Sequence, residues 1–485
     1  MPSPQGPSTF RCQPIFRELS FQDPFEAYKK LRSENSLLFE SLKGPEQISR
    51  YAFIGIEPYL IFKVKDGLVE VNVRGRKTVS FKKPLQCLRE LVNAVSQEPI
   101  DGLPPFQGGA AGMLSYDFVR YFEHLPSKAE DDLFIPDAHF FMFDRIISFD
   151  LKTEQCWIIV CPGARETVPG FSESSKHQEE FHEDAQQQIE RIAVLLDRGS
   201  EAAPRDSGGK IVSVCAETDM AQYMAMVRRA KEYIAAGDIF QANLSLRLSA
   251  DIGDADPLVV YEILRDVNPS PFAAYLDFGD YQIVSSSPER LVRVKSRAVD
   301  TRPIAGTRPR GKDLQGDDEM KTELLLNEKE RAEHIMLIDL ERNDMGKVCD
   351  YGSVHVDELM ITEQYSHVIH IVSNIRGALA VGKDCFDVIR ATFPGGTITG
   401  VPKVRCMEII DELEQRRRGP YTGSIGYIGF NGDMDLNIII RTFLVKEGKA
   451  YVQAGAGIVA DSDPEREYYE SLKKAEALIN TLKKL

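Results

Sequence analysis

Hydrophobic and polar positions follow two different periods along this chain. Alternating apolar and polar residues, typical of half-buried strands, occur at 59–73 (YLIFKVKDGLVEVNV), 140–150 (FFMFDRIISFD) and 155–163 (QCWIIVCPG). Helical spacing predicts an amphipathic helix over 219–238, followed by a strand at 239–250. Further strands are predicted at 271–279, 281–287, 289–297, 367–377, 424–430, 436–445 and 449–459, and further helices at 323–340, at 404–417 and at the C-terminus.

The predicted strands come in groups and do not alternate strictly with helices. This order favours an α+β fold with large antiparallel sheets over a doubly wound parallel sheet. We expect residues 1–165 to form an N-terminal lobe of mixed α/β structure. The polar stretch 166–210, which ends in GSEAAPRDSGGK, is predicted to be a helix and a linker. Residues 211–485 then form the domain with the densest run of predicted elements.

Composition narrows the classes of function. The 485 residues are 43% hydrophobic and 27% charged, which is ordinary for a soluble globular protein. The 59 Lys and Arg against 74 Asp and Glu give a net charge of −15, which argues against a nucleic-acid or anionic-membrane surface. The eight cysteines form no Cys-x-x-Cys or zinc pattern, and no signal peptide or membrane-spanning run is evident. We therefore expect a cytoplasmic protein with reduced cysteines.

Two pairs of glutamates lie on predicted helices. Glu330 and Glu333, like Glu467 and Glu470, are three residues apart, which places both carboxylates of a pair on one helical face. Such pairs are usually solvated surface, but two of them facing each other across a cleft would suit a hard divalent cation. Lys474 follows Glu470 by four residues, either as a simple ion pair or as a group that holds a substrate carboxylate.

Each of the other features that could bind an anion can also be explained as an ordinary part of the fold. Arg441 ends an apolar run, where it is either a buried anion clamp or a solvated charge. The glycine-rich turns at 395–400 and 455–457 let backbone N–H groups approach an anion, although each is also an ordinary tight turn. No Gly-x-Ser-x-Gly elbow or cysteine nucleophile turn is present, so a hydrolytic triad is poorly supported.

Six segments of the C-terminal part occur in an order that resembles the chorismate-utilising enzymes across about residues 215–485. They are PIAGTRPRG (303–311), NEKERAEHIMLIDLERND (327–344), FPGGTITGVPK (393–403), RRGPYTGSIGYIGF (417–430), LNIIIRT (436–442) and QAGAGIVADSDPE (453–465). Residues 37–55 and 106–123 resemble the N-terminal region of anthranilate synthase component I and aminodeoxychorismate synthase component I. The resemblance implies a two-lobed β-sandwich around a central cleft.

The resemblance also implies a role for each site residue. Mg²⁺ would be held by Glu333 and Glu470 directly and by Glu330 and Glu467 through waters. One chorismate carboxylate would lie near the metal, Lys474 and the amides of Gly455, Ala456 and Gly457, and the other would meet Arg441 and Tyr421. Thr397, Gly306 and Thr307 would line the ring, His370 would lie beneath it, and Glu289 would protonate the departing ring hydroxyl.

The residue at position 241 indicates whether water or ammonia is the nucleophile. Members of the family that add water resemble one another in having a lysine at this position, where it deprotonates the water. The neutral amide of Gln241 cannot remove that proton. The resemblance therefore implies attack by ammonia, supplied by a separate glutamine amidotransferase subunit because this chain shows no glutaminase nucleophile. Asn243 resembles the enzymes that form 4-amino-4-deoxychorismate, and Ala305 excludes a covalent lysine route at that position. Anthranilate is the alternative product.

A second pocket is implied for the N-terminal lobe. The segments LLFES with Arg50, and NPSPF, resemble the tryptophan pocket of anthranilate synthases. Its residues here would be Glu40, Ser41, Arg50, Asn268, Pro269, Ser270 and Pro271. Phe39 and Phe272 depart from the usual residues, so tryptophan binding stays open. A further alternative is a non-catalytic amino-acid sensor.

Overall fold

The computed structural model describes residues 9–45, 48–168, 178–198, 212–311, 313–364 and 368–485. The α-helices within these ranges are α1 Pro24–Leu31, α2 Pro84–Asn93, α3 Gln178–Asp197, α4 Met220–Ala235, α5 Pro257–Val267, α6 Leu314–Leu326, α7 Glu328–Gly346, α8 Cys385–Thr392, α9 Lys403–Leu413 and α10 Pro464–Leu482. The strands are β1 Phe10–Cys12, β2 Ile15–Leu19, β3 Ser36–Glu40, β4 Tyr51–Gly55, β5 Leu60–Lys65, β6 Leu68–Val73, β7 Arg76–Ser80, β8 Val95–Gln97, β9 Gly109–Leu114, β10 Ala138–Phe143, β11 Arg145–Asp150, β12 Gln155–Val160, β13 Val214–Ala216, β14 Gln241–Asp251, β15 Phe272–Asp277, β16 Tyr281–Ser287, β17 Arg290–Lys295, β18 Ala298–Thr301, β19 Ile304–Pro309, β20 His355–Gln364, β21 Val368–Ala378, β22 Gly400–Val401, β23 Ser424–Gly429, β24 Met434–Asn437, β25 Thr442–Lys446 and β26 Lys449–Ile458.

Two large antiparallel sheets dominate the described residues, as the grouping of strands predicted. Sheet I has the order β19-β21-β18-β17-β24-β23-β9-β10-β5-β6-β7, with β20 also paired to β21. Sheet II has the order β13-β14-β26-β25-β16-β15-β3-β4-β11-β12-β2, with β22 also paired to β14. The short strands β1 and β8 pair separately and in parallel.

The sheets pack face to face because each carries an apolar row toward the other. Phe53 of β4, Phe141 of β10, Ile283 of β16 and Ile425 of β23 lie in one buried cluster drawn from both sheets. The outer face of sheet II packs on α1, α3, α4, α5 and α10, while sheet I packs on α2, α7 and α8. Helix α9 packs against β14 of sheet II. Alternation along each strand thus produces a sandwich with a helical layer on either side.

Both sheets combine strands from the two ends of the chain. In sheet I, β9 pairs with β23, so that Gly109 lies opposite Gly429. In sheet II, β3 pairs with β15, so that Glu40 lies opposite Ala273. The boundary predicted at 166–210 stays a prediction, and 169–177 and 199–211 lie outside the described residues.

Two of the points at which the chain passes between the sheets are neighbours in space. It leaves sheet II after β16 and enters sheet I at β17, and it returns from sheet I after β24 to sheet II at β25. Hydrogen bonds join the two passages: the Ile438 N–H donates to the Glu289 carbonyl at 3.0 Å, and the Ser286 N–H donates to the Arg441 carbonyl at 3.1 Å. Glu289 and Arg441 therefore lie where the chain leaves regular strand structure.

Two predicted elements proved to be broken. The run 436–445 was expected to be one strand, but β24 ends at Asn437 and β25 begins at Thr442, with Arg441 at φ +52° between them. The single helix expected over 323–340 is α6 followed by α7, because the Asn327 side chain accepts from the Glu330 N–H and begins a new helix. By contrast α4 begins as predicted, with a capping box formed by Asp219 and Gln222.

In the part of the chain that the structure describes, no helix is long and apolar enough to cross a membrane.

Candidate active site

Glu289 is a buried carboxyl at the first of the two passages between the sheets. Burial, helped by the nearby Glu341 carboxylate, raises its pKa to about 8, although the Thr397 hydroxyl and Arg441 act in the opposite direction. A carboxyl with this pKa is protonated at neutral pH. The side chain therefore carries a proton that it can donate, which is the property required of a general acid.

His370 lies on β21 and contacts the bulged strand β19. Its Nδ1 lies 3.1 Å from the Gly306 carbonyl, and only 4% of the residue is exposed. Burial and then the positive charge of Arg441 lower its pKa to about 4, so the imidazole is neutral at physiological pH. Arg441 affects both Glu289 and His370, and these three side chains therefore share one site.

Gly306 joins this group to α7. It has φ +67°, and a Cβ there would lie 2.3 Å from Glu330 Oε2. The pairing of β19 with β21 shifts register between Ala305 and Thr307, so Gly306 is the extra residue of a β-bulge. Only glycine gives the backbone this conformation and leaves room for the Glu330 carboxylate.

The side chain of Gln241, at the start of β14, contacts Glu333, the second glutamate of the predicted pair on α7. Its Nε2 donates to Glu333 Oε1 at 2.7 Å. A Cβ on Gly457 of β26 would lie 2.2 Å from Gln241 Nε2 and 3.6 Å from Glu333 Oε1. The sequence-predicted residues of α7, β14 and β26 therefore meet at one place.

The C-terminal glutamate pair is placed differently from the α7 pair. Lys474 forms an ion pair with Glu470 at 2.9 Å and donates to the Gly455 carbonyl at 3.1 Å. Burial raises the pKa of Glu467, and Glu470 adds to the effect. Among the described residues, no three or more Asp, Glu, His or Cys side chains converge in a group that could hold a metal. The four glutamates thus do not form a single cage in this structure.

The residues nevertheless fit a hard cation in one respect. Glu330 Oε2 is a buried carboxylate oxygen for which the described residues provide no hydrogen-bond donor, while Oε1 accepts from Arg308 at 2.6 Å. An anionic oxygen without a donor is the ligand type that Mg²⁺ prefers. Glu333 lies one helical turn away, so α7 presents two carboxylates on the face beside Gly306.

The remaining predicted substrate-binding residues are placed as follows. Arg418 lies over the Tyr421 ring at 5.5 Å, and burial raises the pKa of Tyr421. The side chain of Ala456 is buried in the core between sheet II and its helices. It therefore points away from the face of β26 to which Gly455 and Gly457 belong, and only the backbone of Ala456 is available on that face. The side chain of Thr307 lies outside what the structure describes.

A buried ion pair that the sequence reasoning missed holds three of these segments together. Arg418 is bonded to Glu414 at 2.7 Å, and it also donates to the carbonyls of Asn243 at 2.7 Å and Ile398 at 3.0 Å. Four residues separate Arg418 from Glu414, a spacing that in sequence is indistinguishable from that of a solvated pair. The pair fixes β14 against the turn that carries Thr397.

Glu341 was also missed. It is 5% exposed, accepts from the Thr301 hydroxyl at 3.2 Å, and lies beside Gly396, whose Cβ would be 3.6 Å from its Oε1. Burial raises its pKa to about 7, Lys403 lowers it and Asp344 raises it. In the sequence it stands among the charges of DLERND, where it reads as a surface residue.

A cavity of about 530 Å³ lies between the sheets on the N-terminal side. Glu40, Ser41, Arg50 and Pro271 of the predicted amino-acid pocket line it, together with Arg290 of β17. Glu40 accepts from the Tyr261 hydroxyl at 2.7 Å, and burial raises its pKa to about 7. Asn268, Pro269 and Ser270 form the adjoining turn, in which Asn268 Nδ2 donates to Ser286 Oγ at 3.1 Å.

Comparison with known families agrees with this geometry. The family described as chorismate binding enzyme matches residues 69–480. This chain belongs to that family. It is 44% identical to aminodeoxychorismate synthase component 1 of Bacillus subtilis (strain 168) over 467 residues, which cover 96% of this chain and 95% of that one.

Anthranilate synthases are equally similar. Component 1 of anthranilate synthase from Thermus thermophilus is 44% identical over 463 residues, which cover 95% of each chain. The crystal structure of anthranilate synthase component I from Streptococcus pneumoniae TIGR4 aligns with a TM-score of 0.77 at 36% identity, covering 89% of this chain and 92% of that one. The chain is thus a chorismate-utilising enzyme of this fold, and these identities do not separate the two reactions.

Proposed function

We propose that this protein aminates chorismate with ammonia to give 4-amino-4-deoxychorismate, the precursor of p-aminobenzoate for folate synthesis. Gln241 is the observation that carries the proposal. A water nucleophile needs a base to remove its proton, and Gln241 presents a neutral amide beside Glu333. Ammonia attacks with its lone pair and needs no prior deprotonation, so a neutral residue is sufficient.

The leaving group is handled by Glu289. Hydroxide leaves a ring carbon poorly, and a carboxylic acid that keeps its proton at neutral pH can donate it to the departing oxygen. Thr397 orients this acid, and Arg441 offers a guanidinium to a substrate carboxylate in the same site. His370, neutral at physiological pH, fits a role beneath the ring without adding charge.

Glu330 and Glu333 of α7, with Glu467 and Glu470 of α10, would hold Mg²⁺. When bound, the ion supplies positive charge that neutralises a substrate carboxylate and strengthens its binding in an acidic protein. Glu333 accepts from Gln241 and Glu470 is paired with Lys474, so both carboxylates would have to give up these contacts to hold the metal. We expect Glu333→Ala or Glu470→Ala to abolish turnover and EDTA to do the same. Turnover that survives EDTA would count against the metal.

Asn243, two residues after Gln241 on β14, supports 4-amino-4-deoxychorismate as the product. Ala305 leaves no nucleophilic side chain on β19 for a covalent intermediate, which removes the covalent-lysine route without excluding this product. Direct attack by ammonia is therefore the route. Anthranilate, formed with loss of pyruvate, is the second candidate because the relative from Thermus thermophilus is as similar as the one from Bacillus subtilis.

A coupled assay separates the two products. Purified protein is incubated with chorismate, Mg²⁺ and an ammonium salt at high pH, and an aminodeoxychorismate lyase is then added. We expect p-aminobenzoate to form only after the lyase is added. Fluorescence of anthranilate before the lyase would assign the second candidate, and no loss of chorismate under either condition would reject both.

The relatives are named as component 1, which supports a second subunit that supplies ammonia. We expect a glutamine amidotransferase of the same organism to form a complex with this chain. In that complex glutamine should replace ammonium salts as the nitrogen source. Addition of the amidotransferase without any gain in glutamine-dependent turnover would contradict the pairing.

The N-terminal cavity is proposed to bind an amino acid, with tryptophan as the first ligand to test. The cavity is large enough for an amino acid. The carboxylate of Glu40 would bind the α-amino group, and the guanidinium of Arg50 would bind the α-carboxylate. Isothermal titration with tryptophan, with Glu40→Gln as the matched variant, checks this. Absence of heat in the wild-type protein would exclude tryptophan as the ligand.

A further inference from the structure

Tyr223 of α4 is buried where α4, α10 and β14 meet. Its hydroxyl lies 2.8 Å from Ser471 Oγ of α10, and it donates to the Leu244 carbonyl of β14 at 3.3 Å. A tyrosine has one hydroxyl proton, which the Leu244 carbonyl accepts, so the Ser471 hydroxyl donates to the tyrosine oxygen. Tyr223 and Ser471 are both 0% exposed. One buried hydroxyl therefore joins three elements.

The turn of α10 that Tyr223 contacts carries two of the proposed metal ligands. Glu467 precedes Ser471 by four residues, which is one helical turn, and Glu470 is its neighbour in the sequence. The ring of Tyr468 packs against the ring of Tyr223, with 5.9 Å between the centroids. Burial raises the pKa of Tyr223, and the charge of Glu467 adds to this increase, which places that carboxylate near the tyrosine. Tyr223 thus holds this turn with both its ring and its hydroxyl.

The first two turns of α10 have few other buried contacts. Its buried residues begin at Ser471 and continue with Ala475, Leu478, Thr481 and Leu482. Helix α4 holds the start of α10 at a second point, because Lys231 Nζ donates to the Ser462 carbonyl at 2.6 Å just before the helix. Apolar packing anchors the C-terminal half of α10, so the position of its glutamates depends on the contacts with α4.

The bond to Leu244 connects α10 with the strand that reaches the other glutamate pair. Strand β14 also carries Gln241, whose Nε2 donates to Glu333 of α7 at 2.7 Å. Tyr223 is therefore the link between α10 and a strand that contacts α7. A shift of α10 along β14 would change the separation between the two pairs of glutamates.

We infer that Tyr223 is a positioning residue for the metal site, because its hydroxyl sets α10, with Glu467 and Glu470, against β14. It acts through Ser471 and Leu244, and not by contact with the metal or the substrate. Replacing Tyr223 by Phe keeps the ring and its packing but releases both hydrogen bonds. This inference rests on the proposed function and adds to it a buried residue that determines how well α10 binds Mg²⁺.

Tyr28 of α1 provides a matched control. Its hydroxyl lies 2.8 Å from Ser36 Oγ of β3, and the residue is also 0% exposed. Neither Tyr28 nor Ser36 belongs to the proposed metal or substrate site. Tyr28→Phe and Tyr223→Phe each remove one buried hydroxyl bonded to a serine, so both should lower the midpoint of urea unfolding by similar amounts. A change in the Mg²⁺ requirement of Tyr223→Phe alone is then not a result of lower stability.

The measurement is the rise in Tm on addition of Mg²⁺, with chorismate present and with ammonium and glutamine omitted so that amination does not occur. We expect Tyr223→Phe to raise the Mg²⁺ concentration for half of the full rise about fivefold, and Tyr28→Phe to leave it within about twofold. Ser471→Ala should give the same increase as Tyr223→Phe, and the double variant should add little to either. With ammonium and saturating Mg²⁺, the kcat of Tyr223→Phe should return to within about twofold of the wild type.

An unchanged Mg²⁺ requirement in Tyr223→Phe overturns the inference and leaves the proposed function standing, and so does an equal increase in Tyr28→Phe. If Tyr223→Phe is insoluble, Ser471→Ala decides the question by the same measurement. A wild-type protein whose Tm and turnover are both independent of Mg²⁺ would instead reject the proposed metal, and this inference with it.

Discussion

At the scale of single residues, burial determines the protonation states in the site. It raises the pKa of Glu289 to about 8 and that of Glu341 to about 7, and it lowers the pKa of His370 to about 4. Glu289 and His370 are therefore uncharged at neutral pH, whereas Glu341 is partly ionised there. Charge in the site comes from Arg441 and from the glutamates of α7 and α10, the groups that we propose face substrate carboxylates and metal.

The protonated form of Glu289 gives a specific pH dependence. Because its pKa is raised, the acid form predominates below about pH 8 and is lost as the pH rises through that value. We expect kcat/KM for chorismate, measured at a constant concentration of free ammonia, to fall about tenfold per pH unit above pH 8. Glu289→Gln should lower kcat by ~10²–10⁴-fold, the usual contribution of a general acid.

The Glu289 prediction has a control in the second buried acid. Glu341→Gln removes a negative charge near Glu289 and should shift the alkaline limb of the pH–rate profile to lower pH. Exposed Glu447, replaced by Gln, should leave the profile unchanged. An alkaline limb at the same pH in all three proteins would mean that Glu289 is not the titrating group.

Glu341 also makes a prediction for stability. Its pKa is about 7 in the folded protein against an ordinary 4.5, so the folded state binds the proton more tightly. The contribution of protonated Glu341 to folding stability is therefore complete below pH 4.5 and is lost as the pH rises from 4.5 to 7. Glu341→Gln should be more stable than the wild type at pH 8 by about 2 kcal/mol, and this gain should shrink toward pH 5, as measured by urea unfolding. A gain that does not vary with pH would exclude this cause.

At the scale of elements, irregular backbone places the functional side chains. Gly306 is the bulge residue of β19, Arg441 is at φ +52° between β24 and β25, and Glu289 lies between β16 and β17. Regular strands would direct alternate side chains into one core or the other. Each interruption instead directs a side chain or a carbonyl into the site, and α7 and β14 supply the remaining groups from regular positions.

The bulge at Gly306 can be tested with a matched glycine. Gly279 has φ +80°, and a Cβ added there would meet no atom within 4 Å, whereas at Gly306 the Cβ would lie 2.3 Å from Glu330 Oε2. Both alanine variants should lose about 1 kcal/mol of stability from backbone strain. Only Gly306→Ala should raise the Mg²⁺ concentration needed for half-maximal activity, because it displaces Glu330. If both variants needed the same Mg²⁺ concentration for half-maximal activity, Glu330 would not be part of the metal site.

At the scale of the whole molecule, the two ends of the chain fold together. Sheet I joins β9 to β23 and sheet II joins β3 to β15, so the N-terminal strands complete both sheets. The aromatic cluster between the sheets also draws on both ends, with Phe53 against Tyr427 at 5.6 Å between ring centroids. Stability of the catalytic half therefore depends on strands that carry none of the catalytic residues.

Expression of fragments tests this dependence. Residues 211–485 alone would expose the edges of β15 and β23 and half of the core between the sheets, so we expect an aggregated product. Co-expression with residues 1–165 should restore soluble protein that consumes chorismate. A soluble, cooperatively unfolding 211–485 fragment would show that the N-terminal strands are dispensable for folding.

Much of this arrangement was accessible from the sequence, and the exceptions have physical causes. Alternating patterns predicted β5, β6, β10 and β11 because each has a regular apolar row. The passage at 438–441 was invisible because an apolar run that changes from one sheet to the other stays apolar throughout. Glu341 and the pair of Glu414 with Arg418 read as surface charges, since a sequence does not state which charges become buried. The α7 glutamates were recognisable by their spacing, but their present partners Arg308 and Gln241 come from distant segments.

The first passage between the sheets has a consequence for communication within the molecule. Glu289 faces the reacting groups, and its neighbour Arg290 lines the N-terminal cavity, held there by Asp435 at 2.8 Å. A molecule that fills the cavity thus touches the residue bonded directly to the proton donor. A displacement of the Arg290 backbone would therefore act on Glu289 through the single peptide bond that joins them, without a relay of intervening side chains.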